Sequence, residues 1–230
     1  MTGALSVRGL SAGYGPVRVL HDVDLEVALG ERVGLLGLNG HGKTTFLRAI
    51  VGLVGWRDGE IEVHGRPVMK SRTYSMARAG VVMIPQGDAL FPGLTVRENL
   101  DAGAFPAKAW RVRRARRELV LDLFPRLAQR LKQPVGTLSG GERRMVSIGR
   151  GLMSEADLFL IDEPSLGLAP GIVSSLMDSL FSVPVDRGAL IVAEQNRALI
   201  EGRVDTLVHI NGGQVVRVER TGPSERPIET

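Results

Sequence analysis

Residues 37–44 read GLNGHGKT, framed by the apolar run RVGLL (32–36) before them and by KTTFLRAIVGL (43–53) after them. The octet fits the pattern G-x-x-x-x-G-K-[ST] in the setting that the pattern requires, a strand leading into a turn and then a helix. Glycines at this spacing leave main-chain N–H groups bare around an anion, and the helix start behind them adds the positive end of its dipole. The segment therefore predicts a phosphate-binding loop. Lys43 reaches terminal phosphates, and the Thr44 hydroxyl is a magnesium ligand.

Working outward, GVVMIP (80–85), ADLFLID (156–162) and GALIVAEQ (188–195) are further short apolar runs, each followed by a turn or helix start. That recurrence predicts parallel strands joined by helical crossovers. VLHDVDLEV (19–27) alternates at Val19, Val23, Leu25 and Val27, as a half-buried strand does. EIEVHG (60–65) and TLVHINGGQVVRVE (206–219) read as antiparallel, with Asn211-Gly212 as the hairpin turn signal. The stretch 95–153 departs from this pattern and is mostly helical. Thr95 and Glu98 stand at capping-box spacing, and AKAWRVRRARRELVLDLF (107–124) predicts an amphipathic helix with Val112, Ala115, Leu119 and Leu123 on its apolar stripe. Arg111, Arg113, Arg114, Arg116 and Arg117 are read as the solvated face of that helix in preference to a contact with nucleic acid or lipid headgroups.

Composition narrows the chemistry. The 230 residues are 43% apolar, enough for one sizeable core with an appended subdomain. With no cysteine, disulfides, thiolate metal sites and cysteine nucleophiles are excluded, and the four histidines have no ligand spacing. An ion held by carboxylates and phosphates stays open. The net charge of +4 permits an anionic partner without requiring one, and no nucleic acid is expected. Neither a signal peptide nor a membrane span is read, which predicts a soluble, cytoplasmic protein.

Two more stretches carry chemistry. LFLIDEP (158–164) is an apolar strand ending in two acids, of which Asp162 is assigned to the metal and Glu163 to the attacking water. TLSGGERR (137–144) opens a helix with a serine and two glycines, presenting a hydroxyl and bare amides to an anion.

Taken together these stretches resemble the ATP-binding cassette (ABC) ATPases over essentially the whole chain, in the family's motif order. The resemblance implies a P-loop NTPase fold of the α/β class, with a RecA-like, mostly parallel sheet, an antiparallel β subdomain and an inserted helical signature subdomain. It divides a single nucleotide-binding domain over 1–230 into core and β subdomain (about 1–94 and 154–220), helical subdomain (about 95–153) and a polar tail read as disordered (about 221–230). Tyr14 falls at the aromatic position that stacks on adenine. Gly37, Asn39, Gly40, His41, Gly42, Lys43, Thr44 and Thr45 form the Walker A loop. Gln86 is the Q-loop glutamine and a metal ligand with Thr44 and Asp162. Ser139, Gly140, Gly141 and Glu142 belong to the signature and act on ATP bound by a partner subunit, since cassettes of this family pair head to tail.

The implied cofactors are ATP and Mg²⁺. The implied partners are a second ATPase subunit, integral membrane permease subunits and, indirectly, a solute-binding protein, with the chain peripheral on the inner face of the cell membrane. The phrases DEPSLGLAP, LFPGLTVRENL, LFPRL, LSGGE and VAEQN are most similar to the second ATPase subunit of branched-chain and polar amino-acid importers. Gln86 is shared with urea-type relatives, which leaves a urea or amide importer open, beside a non-transport ATPase or a nucleotide-dependent binding module. Gln195 stands at the switch position usually held by histidine, so it is read as a phosphate sensor, with base chemistry left to Glu163. Asn196 is read as the cap of RALIEG (197–202), and Glu194 as solvated or paired.

Overall fold

The computed structural model describes residues 3–68, 73–105, 107–154 and 156–221. In chain order the elements are β1 (Leu5–Tyr14), β2 (Val17–Val27), β3 (Glu31–Leu36), α1 (Lys43–Ile50), β4 (Trp56–Val63), β5 (Arg66–Pro67), α2 (Thr73–Arg78), β6 (Val81–Ile84) and α3 (Val96–Gly103). They continue with α4 (Ala107–Leu123), α5 (Pro125–Ala128), α6 (Gly140–Leu152), β7 (Leu158–Asp162), α7 (Pro170–Phe181), β8 (Ala189–Glu194), β9 (Thr206–Asn211) and β10 (Gln214–Arg220).

Two sheets form. The larger runs β10-β9-β3-β8-β7-β6, with β6, β7, β8, β3 and β9 parallel and β10 antiparallel on the edge. The smaller is antiparallel, in the order β2-β1-β4-β5. Strand alternation sorts the central residues between two cores. Leu158, Leu160, Ile191 and Ala193 join Phe46, Leu47 and Ile50 of α1 in a core shared with the small sheet. Phe159, Ile161, Leu190 and Val192 face Ile148, Leu127 and Leu176 of the helices on the opposite side. The central strands are thus apolar on both faces, as parallel strands covered by helices are.

Four local expectations need correction or refinement. In β2 the buried series is Leu20, Val23, Leu25 and Val27, and Val19 is only half-buried. Asp22 takes a positive φ of 52° within a bulged pairing with β1, which shifts the alternation by one residue. The hairpin turn falls on Gly212-Gly213, both with positive φ, and Asn211 remains the last strand residue, paired with Gln214. On α4 the buried residues are Ala109 and Val120, while Val112 and Leu119 are 42% and 48% exposed and line an open groove opposite Phe159 and Val183. The arginines of α4 are not a uniform solvated face either. Arg116 donates to the carbonyls of Leu152 and Ser154, Arg117 pairs with Asp101, and Arg113 stacks on the Trp110 ring at 3.9 Å.

The capping box at Thr95 and Glu98 is present and starts α3. The tail beyond Thr221 lies outside the described residues.

Candidate active site

β3 ends at Leu36, and the chain turns through 37–42 before α1 begins at Lys43. Gly42, with φ of 105°, adopts a conformation closed to residues with a side chain, and it holds the turn that aims the start of α1 back across the sheet edge. A Cβ there would meet the Leu20 side chain at 3.1 Å and the Gly213 Cα at 3.3 Å, so β2 and the β9–β10 turn wall the loop. The Gly213 N–H donates to the His41 carbonyl at 3.0 Å, and the His21 N–H donates to the Gly213 carbonyl at 2.9 Å. No side chain caps α1, and its first turn carries no acid. Its leading N–H groups therefore point toward an anion position.

The Lys43 side chain is 3% exposed, and its ammonium is saturated. It donates to the carbonyls of Gly37 (2.8 Å) and Leu38 (3.2 Å) and lies 3.0 Å from Glu163 Oε1. Thr45 is buried, Thr44 and His41 are half-buried, and Asn39 and Gly40 are exposed at the loop tip.

The carboxyl end of β7 supplies the acids. Thr44 Oγ1 donates to Asp162 Oδ1 at 3.0 Å, while Asp162 Oδ2 is buried with no hydrogen-bond partner among the described residues. Burial raises the Asp162 carboxyl above its ordinary pKa and the Glu163 charge adds to this, against the Thr44 hydrogen bond and the Arg48 and Lys43 charges. An unpartnered buried carboxylate oxygen beside a threonine hydroxyl offers hard oxygen donors to a divalent cation. Mg²⁺ is commonly held by one or two protein oxygens, with phosphate and water completing the octahedron. The residues present fit that ion. Among the described residues no group of three or more His, Cys, Asp or Glu forms a cage, so further ligands have to come from substrate and solvent. Glu163 has a φ of 42°, and its N–H donates to the Ala193 carbonyl at 2.9 Å.

The pairing register brings these groups together. Leu36 lies beside Glu194 and Asp162 beside Ala193, so the phosphate loop, the β7 acids and the end of β8 open on one sheet edge. In open α/β sheets that edge is where ligands sit. Glu194 is buried and not solvated. Its carboxylate accepts the Ser165 N–H at 3.0 Å and the Gln195 N–H at 3.3 Å. Burial raises its pKa, and the hydrogen bonds from Ser165 oppose the rise. Gln195 is exposed, and its side-chain amide bonds to none of the described residues. Asn196 Oδ1 accepts the Ala198 N–H at 3.0 Å and caps a short 3₁₀ turn over Arg197–Leu199, smaller than the helix predicted there.

Other candidate residues stand apart from this cluster. Ser139 caps α6 in a full capping box with Glu142, which also pairs with Arg130 at 2.7 Å. Ser139 and Gly140 are exposed, and a Cβ on Gly141 would meet Ile172 at 2.9 Å. Among the described residues no hydrogen bond or ion pair joins Ser139–Glu142 to Lys43, Thr44, Asp162 or Glu163. Gln86 is exposed after β6 and is not bonded to Thr44 or Asp162. Tyr14 ends β1, 38% exposed at the rim of the small sheet.

Two arginines near the site have no signal in the sequence. Arg144, 3% exposed, donates to the carbonyls of Pro85 (2.8 Å), Gly87 (2.6 Å), Asp162 (2.9 Å) and Pro164 (3.3 Å). Its neighbour Arg143 pairs with Asp88 at 2.9 Å. Asp88 and the Arg144 partners are distant in sequence, and among the described residues Arg144 hydrogen-bonds only to main-chain oxygens, so no side-chain pattern announces the contacts.

The chain is similar to known proteins in sequence and in fold. The family described as ABC transporter matches residues 20–166. Over 214 residues the chain is 37% identical to the high-affinity branched-chain amino acid transport ATP-binding protein BraG of Pseudomonas aeruginosa, covering 92% of this chain and 91% of the relative. It is 32% identical over 188 residues to the probable branched-chain amino acid transport ATP-binding protein LivF of Archaeoglobus fulgidus, covering 81% and 79%. A solved ATP-binding subunit of an ABC transporter superposes with a TM-score of 0.80 at 30% identity, over 95% of this chain and 90% of that one.

Proposed function

The chain belongs to the ABC transporter ATP-binding proteins, and from that premise we propose that it is the ATP-hydrolysing motor subunit of an importer for branched-chain or related polar amino acids. The observation that carries the motor reading is the convergence of Lys43, Thr44, Asp162 and Glu163 on one sheet edge. The solute class rests on the likeness to the two amino-acid transport proteins.

In this reading the triphosphate lies along Gly37, Asn39, Gly40, His41 and Gly42, with main-chain N–H groups and the start of α1 holding its oxygens. Lys43 leaves the Gly37 and Leu38 carbonyls and turns to the β- and γ-phosphates. Thr45 fixes the helix start from its buried position, and Tyr14 stacks on the base. Thr44 and Asp162 hold the magnesium, with Gln86 as a further ligand. That ion supplies charge neutralisation at the phosphate oxygens. Releasing Lys43 frees the Glu163 carboxylate to accept a proton from the attacking water, and Gln195 donates a hydrogen bond to the γ-phosphate.

Ser139, Gly140, Gly141 and Glu142 act on nucleotide held by the partner subunit in a head-to-tail dimer. The helical subdomain (about 95–153) transmits closure to membrane permease subunits, and the core and β subdomain (about 1–94 and 154–220) hold the nucleotide. A solute-binding protein delivers the solute outside, and this chain sits on the inner face of the membrane. Among the described residues no helix is long and apolar enough to cross a membrane.

Uptake of labelled leucine by cells with and without the chain tests the reading. Loss of that uptake, restored by the parent chain and not by Lys43→Ala, supports it. Intact leucine uptake with lost urea uptake moves the solute to the urea class, a second reading that Gln86 favours.

A further inference from the structure

Arg144 lies on the first turns of α6, just beyond Glu142, with its guanidinium sealed inside the protein. A buried guanidinium is costly unless its donors are met. Here four carbonyls meet them, and they come in two pairs. Pro85 and Gly87 flank Gln86, and Asp162 and Pro164 flank Glu163. One side chain thus brackets two candidate active-site residues that lie on different strands' ends, and it does so from the helix that carries the signature. The surroundings extend the bracket. The Arg143–Asp88 pair ties the same helix to the same loop at 2.9 Å, and Glu194 takes the Ser165 N–H from the far side at 3.0 Å.

Packing alone does not explain this arrangement. A methionine would fill much of the same space without desolvating a charge, and a lysine would offer a point charge with three donors in no fixed plane. Only a planar fork meets four carbonyls on two segments at once.

We propose that Arg144 is a positioning residue that fixes Gln86 and Glu163 relative to each other and couples both to the signature helix. The part of this that concerns ATP rests on the function proposed above. When Gln86 or Glu163 shifts as nucleotide enters, the clamp carries the shift to α6, the helix that faces nucleotide on the partner. Two sites on opposite subunits are then joined through one side chain.

The test uses the full chain with Arg144→Met and Arg144→Lys, read by hydrogen–deuterium exchange of the nucleotide-free protein and by ATP binding and hydrolysis. Loss of the clamp frees both segments together, so exchange in 85–91 and 162–168 should rise about tenfold in the Met variant, while β1–β4 keep the parent rate. ATP affinity should stay within about threefold, kcat should fall about tenfold or more, and the Lys variant should recover part of both effects. Unchanged exchange in those two segments overturns the proposal. So does a rise across the whole chain, or a local rise with parental kcat. Should the parent itself fail to bind ATP, the proposed function falls, while the exchange result still decides whether the clamp exists.

Discussion

The Lys43 ammonium lies 3.0 Å from Glu163 Oε1, with both side chains nearly sealed from solvent. The residue proposed to meet phosphate is held by the residue proposed to meet the attacking water. Under the proposed function, entry of a triphosphate would exchange one anionic partner of Lys43 for another, and the same exchange would release Glu163. On that proposal, binding and activation of the base are linked through one ion pair.

Glu163→Gln removes the charge that competes with phosphate for Lys43. The variant should bind ATP at least as tightly as the parent, lose about a thousandfold in steady-state hydrolysis, and accumulate as a closed dimer with ATP on gel filtration. Turnover above about a tenth of the parent rate would remove Glu163 from the base role.

Lys43→Ala has two separable effects. Nucleotide affinity should fall by about tenfold or more in an equilibrium titration, because a charge-assisted phosphate contact is lost. The ligand-free chain should also lose about 3 kcal/mol, because the Glu163 carboxylate stays buried without its cation. An unchanged binding isotherm would contradict the loop assignment, and an unchanged melt would mean Glu163 finds another partner.

Asp162→Asn tests the metal site. Its Oδ2, without a hydrogen-bond partner among the described residues, is the oxygen proposed to take the cation. With the carboxylate gone, ATP should stabilise the variant equally with and without Mg²⁺, whereas Mg²⁺ should add to the effect in the parent. A Mg²⁺-dependent thermal shift retained in the variant would place the ion elsewhere.

Gln195→Ala should lower kcat about tenfold and change ATP affinity by less than about threefold, since an exposed amide bonded to none of the described residues can act late on the γ-phosphate. Equal losses in both quantities would make it a ground-state contact only.

Glu194 gives a pH signature. Burial raises its pKa in the folded chain above the ordinary 4.5, with the Ser165 and Gln195 hydrogen bonds only partly opposing this. A folded value above the unfolded one means that its contribution to stability is complete below pH 4.5 and is lost as pH rises through the folded value. Glu194→Gln does not titrate. Relative to the parent it should therefore gain stability as pH rises from about 4 toward neutrality, measured by urea melts of the nucleotide-free chain. A difference flat in pH would mean that burial does not set the charge of Glu194.

What the sequence reveals depends on how local the physics is. The turn from β3 into α1 is legible because its glycines and flanking elements act within one short stretch. The central strands are legible because residues apolar on both faces leave few alternatives. Asp162 and Glu163 are legible as a strand end beside that loop. The α4 stripe misleads because periodicity marks an apolar face without saying what covers it, and Val112 and Leu119 look into an open groove. The phase of β2 is hidden because a bulge at Asp22 leaves no required residue type. Arg144 and Glu194 are hidden for a different reason. Their partners are backbone groups brought close only by the fold, and any residue can offer a backbone group.

Gly213 has no side chain to offer a ligand, yet its N–H holds the His41 carbonyl and its carbonyl holds the His21 N–H. A side chain there would fall 1.8 Å from the Val19 carbonyl and force the turn away. In a genetic selection for lost ATP binding, missense alleles at this hairpin would be recovered alongside those at Lys43, although their codons are far apart in the gene. A mutational map of the chain would show the last hairpin as an outlying island of the loop's own phenotype.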